Sequence, residues 1–144
     1  MSERLEIIHH EGYDPAINSL FVPAIKVRSG VPVYISGVTA APVYHDHPHI
    51  PEEFDAIPLD AESQAQLAFE HLGQALDAAG CQPSDIVSLT RFLVDVENDQ
   101  DVVNQLQGEF LGGHLPTSTT VEISRLATDH RLRLEIQGVA IAPE

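Results

Sequence analysis

The stretch DAESQAQLAFEHLGQALDAAG, Asp60 to Gly80, decides the fold. Ala61, Ala65, Ala68, Leu72, Ala75, Leu76 and Ala79 recur at helical spacing, so one stripe of the predicted helix is apolar and the rest polar. Asp60 can accept from the first free amides, and Gly80 can take the left-handed conformation that ends a helix. A helix with one buried side must lie on something, and both its flanks read as strands. LEII (5–8), LFVPAIKV (20–27) and VPVYISGV (31–38) precede it; IVSLTRFLVDV (86–96), TSTTVEISRL (117–126) and RLRLEIQGVAIA (131–142) follow. A second helix is expected to begin after Asp99, with Val102, Val103, Leu106 and Phe110 on one face, and to stop at Gly112-Gly113.

The order is therefore β-β-β-α-β-α-β-β. Two helices cannot sandwich both faces of a six-stranded sheet, which predicts an α+β design with both helices on one face and the other face open. The final strand alternates Leu132, Leu134 and Ile136 with Arg131, Arg133, Glu135 and Gln137. That polar row is either a solvated surface or one wall of a cleft between subunits.

The bulk numbers bound the function. A chain of 144 residues fits a single domain, 1–144, with room for a core. No run approaches the roughly 18 apolar residues of a membrane span, so no membrane partner is expected. The start MSERLEIIHHEG lacks the pattern of a secretory signal, and the lone Cys81 makes no internal disulfide; a cytoplasmic location is the expectation. With 22 acidic against 7 basic residues the formal charge is −15, which repels a phosphate backbone and argues against nucleic acid as a partner. The acidic runs at 49–62 and 95–101 read as solvated loops and helix starts.

Two segments carry candidate chemistry. In HLPTSTTVEI (114–123) four hydroxyl residues stand in a row, and in an extended strand Ser118, Thr120 and Glu122 share a face. Thr117 and Thr119 read as β-branched strand formers. A nucleophilic serine would need a neighbouring base and a G-x-S-x-G elbow, neither of which is evident, and a phosphate cradle would need a following helix. In YHDHPH, His45, His47 and His49 alternate and would point the same way in an extended segment, as ligands of zinc, nickel or copper would. As a loop without evident supporting partners it is expected to bind metal weakly or not at all, and no metal is assigned. Cys81 has no basic neighbour to activate it, and Tyr13 and Tyr34 read as packing residues.

The block SQAQLAFEHLGQALDAAGCQPSDIVSLTRFLVDV, with VVNQLQGEFLG, PTSTTVEISRL, LEIQGVAI and the earlier AIKV and YISG, resembles the Rid family, the reactive intermediate deaminases also called RidA/YjgF-like proteins. The resemblance spans nearly the whole chain. It implies a chorismate-mutase-like fold and a homotrimer whose sheets line a central barrel, with clefts for a small-molecule ligand between subunits. It further implies hydrolysis of enamines and imines to a carbonyl compound and ammonia with no cofactor; some members are described as ribonucleases. Residue by residue, the family tyrosine falls on Phe21, the glycine of its SG on Gly37 and its acidic residue on Glu135. The arginine that grips a substrate carboxylate falls on Ser118, and the small residue two positions on falls on Thr120. The implied catalytic group is Glu135, with Phe21, Gly37, Ser118 and Thr120 as substrate-binding positions in a branch lacking the anchoring cation. A non-catalytic binding or interaction trimer, and a metal-dependent function on the histidine loop, are the alternatives.

Overall fold

The structure, a computed structural model, describes residues 4–144. Six strands and two α-helices appear in the expected order: β1 (Leu5–Ile8), β2 (Ala24–Val27), β3 (Val31–Val38), α1 (Ala61–Ala78), β4 (Ile86–Leu93), α2 (Val96–Leu111), β5 (Thr117–Glu122) and β6 (Leu134–Ala142). Short 3-10 turns occupy Pro51–Phe54 and Pro83–Asp85.

The α+β class holds, and the single six-stranded sheet does not. The strands form a two-stranded ladder, β1-β2, and a four-stranded sheet in the order β3-β6-β4-β5. The split occurs at the turn after β2, where Gly30 sits at φ +116° and a Cβ would come within 2.4 Å of the Ile141 side chain. The β1-β2 ladder does not extend β3; it is tied to the end of β6 through Arg4, which donates to Ile141 O and pairs with Asp85 at 2.7 Å. Both β3 and β5 are consequently edges of the larger sheet. All its pairs are antiparallel except β4-β5, the pair joined by the α2 crossover.

Burial in α1 follows the apolar stripe: Ala65, Ala68, Phe69, Leu72 and Leu76 pack on Leu89, Leu93, Leu134, Ile136 and Ala140, the inward faces of β4 and β6. Asp60 caps α1 by accepting from Ser63 N at 2.9 Å, and Gly80 follows at φ +73°. The second helix begins earlier than its apolar face suggests, because Asp95 rather than Asp99 is the cap and accepts from Asn98 N. Asp99 is instead buried against Arg133.

Four strands are shorter than their patterns, each for a local reason. β4 stops at Leu93 because Asp95, inside its pattern, caps α2. Pro23, without an amide proton, stands between Phe21 and β2. β5 stops at Glu122, whose carboxylate accepts from Val96 N. Before β6, the fully buried Gln64 side chain donates to Arg131 O and accepts from Arg133 N, so a side chain satisfies groups a strand partner would otherwise take. None of the described helices is long and apolar enough to cross a membrane.

Candidate functional site

Alternation along β6 puts Leu134, Ile136 and Ala140 under the helices and Glu135, Gln137 and Val139 on the open face. The register extends that open face through Phe92 and Thr90 of β4 to Thr119 and Val121 of β5, and to Tyr34 of β3, which is 81% exposed.

Gly37 and Glu135 meet at the β3 edge. The pairing of β3 with β6 slips between Ile35 and Val38, a bulge that swings Gly37 over the Glu135 side chain. A Cβ on residue 37 would fall 2.6 Å from Glu135 Cδ, so any other residue there would push that carboxyl out of the place it holds. Burial raises the Glu135 pKa above its ordinary value of 4.5, and among the described residues no cation or hydrogen bond opposes the rise. Both residues line a cavity of about 940 Å³ that also receives Tyr34, Tyr44, His45, His71 and Gln74.

Phe21, Ser118 and Thr120 belong to the other edge. Val22 N donates to Pro116 O at 3.0 Å, which holds the Phe21 segment beside the start of β5 with the ring half exposed. Ser118 and Thr120 pair with Leu89 and Arg91, so they share the helix-covered side and are half-buried there. Thr120 Oγ1 accepts from Arg91 Nε at 2.8 Å. With β6 and β4 between them, the two edges of one sheet lie about 14 Å apart at ordinary strand spacing. One chain therefore does not bring the five positions together.

Two groups near these positions escaped the sequence reading. His71 of α1 sits on the cavity wall with Nδ1 hydrogen-bonded to Thr39 O at 2.8 Å, which leaves Nε2 as the acceptor in the neutral ring. A lone histidine on a helix has no periodic signature. Arg91 was legible in principle, since the alternation Leu89, Arg91, Leu93 sets a charge on the apolar side of β4. It is 4% exposed, its side chain meets only Thr120 and Gln107, and burial lowers its pKa. Among the described residues it is a buried cation without a carboxylate. Arg133 is committed to Asp99 by two bonds of 2.9 Å, and Arg131 to Asp129 and Asp55, both carboxylates raising the Arg131 pKa further.

Other candidates are used structurally. The His114 ring bonds Ile86 O at 2.6 Å and Thr117 Oγ1 donates to Val87 O at 2.7 Å, so neither assists Ser118. Cys81 is buried, and desolvation with Asp85 nearby raises its thiol pKa.

Comparison with known proteins bears on the whole chain. The family model described as Endoribonuclease L-PSP matches residues 14–142. The Escherichia coli K12 protein named "Putative reactive intermediate deaminase TdcF" is 31% identical over 113 residues, covering 75% of this chain and 85% of that one. The rat protein named 2-iminobutanoate/2-iminopropanoate deaminase is 30% identical over 91 residues, 63% of this chain and 64% of its own. Among solved structures, YyfB of Yersinia pestis, a protein of the conserved Rid family, superposes with a TM-score of 0.76 at 22% identity over 96% of this chain and 98% of that one. Escherichia coli TdcF with bound serine does so with a TM-score of 0.64 at 28% identity, covering 96% and 99%. A match over residues 14–142, deaminase-named relatives and the shared α+β architecture lead to one conclusion: the chain belongs to the Rid (RidA/YjgF) family.

Proposed function

We propose that the protein hydrolyses the C=N bond of an imine, or of the imine tautomer of an enamine, in clefts of a homotrimer. The observation that carries this reading is the contact of Gly37 with a desolvated Glu135 carboxyl inside a cavity. A carboxyl whose pKa is raised toward the working pH is a better proton shuttle than a solvated one. The Glu135 carboxylate takes a proton from water as the water oxygen bonds to the imine carbon and gives it to the nitrogen. The hydroxyl of the resulting carbinolamine then passes its proton through the same carboxylate to the amine as the C–N bond breaks, leaving a carbonyl compound and ammonia. Phe21, Ser118 and Thr120 of a second copy would supply the opposite wall.

The same geometry supports a trimer. Each copy carries half of the implied site on the β3 edge and half on the β5 edge, and a head-to-tail contact of unlike edges is the kind that builds a closed ring when its rotation closes. Burying the face that exposes Tyr34 and Val121 would favour the assembly. Light scattering should give three times 15.7 kDa. A monomer at micromolar concentration would remove the cleft and the site with it.

The decisive experiment is ammonia release from a panel of freshly generated imines, with and without the protein, with semicarbazide as a trap for the imine. Turnover establishes the hydrolase. An intact trimer inert across the panel would favour the alternative, a non-catalytic ligand-binding or interaction trimer, which the absence of a phenol at Phe21 and of a cation at Ser118 also supports.

Nucleic acid is not the proposed substrate, despite the family model's description. A trimer of chains at −15 would carry a formal charge of about −45, and phosphate binding depends on cations it largely lacks. Filter binding at low salt should find no submicromolar RNA affinity.

A further inference from the structure

The segment His45–His49 is not extended, yet its three imidazoles converge. Their ring centroids lie 4.7 to 5.3 Å apart, and one nitrogen from each can be chosen so that all three fall within 4.8 Å of one another. Tetrahedral ligation at about 2.05 Å sets nitrogens about 3.3 Å apart, so closing on an ion asks for ring movements on the order of 1 Å.

The support expected to be missing is present for one ring. His45 Nδ1 lies 2.9 Å from Pro42 O. A carbonyl can only accept, so Nδ1 carries the proton and Nε2 presents its lone pair, the arrangement that fixes tautomer and orientation in metal-ligating histidines. The fully buried Phe54 meets His45 and His49 edge-on, with centroids at 5.1 and 5.8 Å, and gives them a common apolar floor. Glu53 accepts from Asp46 N, which fastens the loop to the 3-10 turn carrying Phe54. Among the described residues, no protein hydrogen bond occupies a ring nitrogen of His47 or His49. Asp46, Glu52 and Glu53 lie in the same stretch of chain, while Asp55 is paired with Arg131, so the segment keeps a net negative charge, which favours a cation.

We propose that His45, His47 and His49 form a binding site for a divalent late transition metal, zinc in the first instance, at the mouth of the cavity that holds Glu135. Imidazole suits zinc, nickel and copper better than magnesium or calcium, which take oxygen ligands. Three protein ligands leave a tetrahedral ion one position open, as catalytic rather than structural zinc sites do. Because His45 also lines the cavity, an ion held there would offer a Lewis-acid position beside the proposed imine site. The metal site does not depend on the imine reaction, and the two are tested separately.

The test is calorimetric titration of zinc chloride into the full chain after treatment with a chelator and dialysis. The expected result is one zinc per chain at micromolar affinity or tighter. His47→Ala and His49→Ala should each weaken binding by at least the roughly 10–100-fold that removal of a supporting partner alone costs at metal sites. His9→Ala/His10→Ala, a control for the other histidine pair, and Glu135→Gln should leave the titration unchanged. Cobalt(II) should give the intense visible bands of a four-coordinate ion, lost in His47→Ala. Absence of a stoichiometric site, or zinc affinity unchanged in the triple variant His45→Ala/His47→Ala/His49→Ala, would overturn the proposal.

Discussion

The two edges of the four-stranded sheet are built from similar strands and equipped differently. At the β3 edge a bulge presses glycine backbone onto a desolvated carboxyl, and a cavity opens over both. At the β5 edge the ladder is regular, Ser118 and Thr120 offer hydroxyls, Glu122 at the strand's end accepts from Val96 N, and Arg91, one strand inward, donates to Thr120. In the proposed reading, the β3 edge would supply the proton-transfer group and the β5 edge the polar grips for substrate. If these positions form a site, its unit is a pair of edges from two copies.

The sharpest way to break that reading is Glu135→Gln, which keeps size and polarity and removes the proton acceptor. Activity on whichever imine is turned over should fall by about 10²–10⁴-fold, the usual contribution of a positioned general acid–base, with the oligomer unchanged by light scattering. Near wild-type turnover would move the chemistry to another group, and His71 on the same cavity wall is the first to try.

Gly37→Ala probes the same edge through the backbone. Its φ is not in the left-handed region, so the chain tolerates the methyl, and the collision at 2.6 Å is with the Glu135 side chain, which can swing away. The fold should survive while the carboxyl moves by about 1 Å, a displacement that can cost on the order of 10²-fold in rate. Unaltered kinetics would show that Glu135 does not act from the position observed.

The β5 edge is sharpened by adding what it lacks. Imines of simple α-amino acids should be poor substrates for the wild type, and Ser118→Arg should improve them. The gain is bounded by the roughly 1.5–3 kcal/mol of a charge-assisted hydrogen bond, about one to two powers of ten in kcat/KM. Glu135→Gln in that background should abolish the gain. If wild type and Ser118→Arg prove equally and highly active, the carboxylate is held elsewhere. Arg91 is then the group to replace, because Arg133 is already saturated by Asp99.

The sequence carried the large periodic features and lost those that depend on distant partners. The α1 stripe was legible because Ala65, Ala68, Leu72 and Leu76 repeat every turn. Gln64, in the same helix, was not: a glutamine looks exposed until its partners 67 and 69 residues away are known. Asp95 and Asp99 are equally good caps by composition, and only the buried Asp99–Arg133 pair separates them. The row Arg131, Arg133, Glu135, Gln137 looked uniform, yet the arginines are spent in ion pairs before β6 begins and the open face inherits only the last two. At the site, the identities of Gly37 and Glu135 came through the family resemblance. Their contact depends on the β3 bulge, which has no sequence signature here.

The smallest expected effect separates the edges by stability. The folded state raises the Glu135 pKa above 4.5 through burial, so the protonated carboxyl is tolerated and the charged one penalised. The sign follows: with the folded pKa above the unfolded one, stability is complete below about 4.5 and is lost as pH rises through the raised value. Glutamine does not titrate. The melting temperature of Glu135→Gln minus that of the wild type should therefore grow from pH 4 to pH 8, by a small amount because the carboxyl is only partly desolvated. Ser118→Thr, a change at the opposite edge that adds no ionisable group, should show no such trend. A difference for Glu135→Gln that is flat with pH would mean that the carboxylate is solvated or paired in the assembled protein. Such a result would leave the β3 edge no better prepared for proton transfer than the β5 edge.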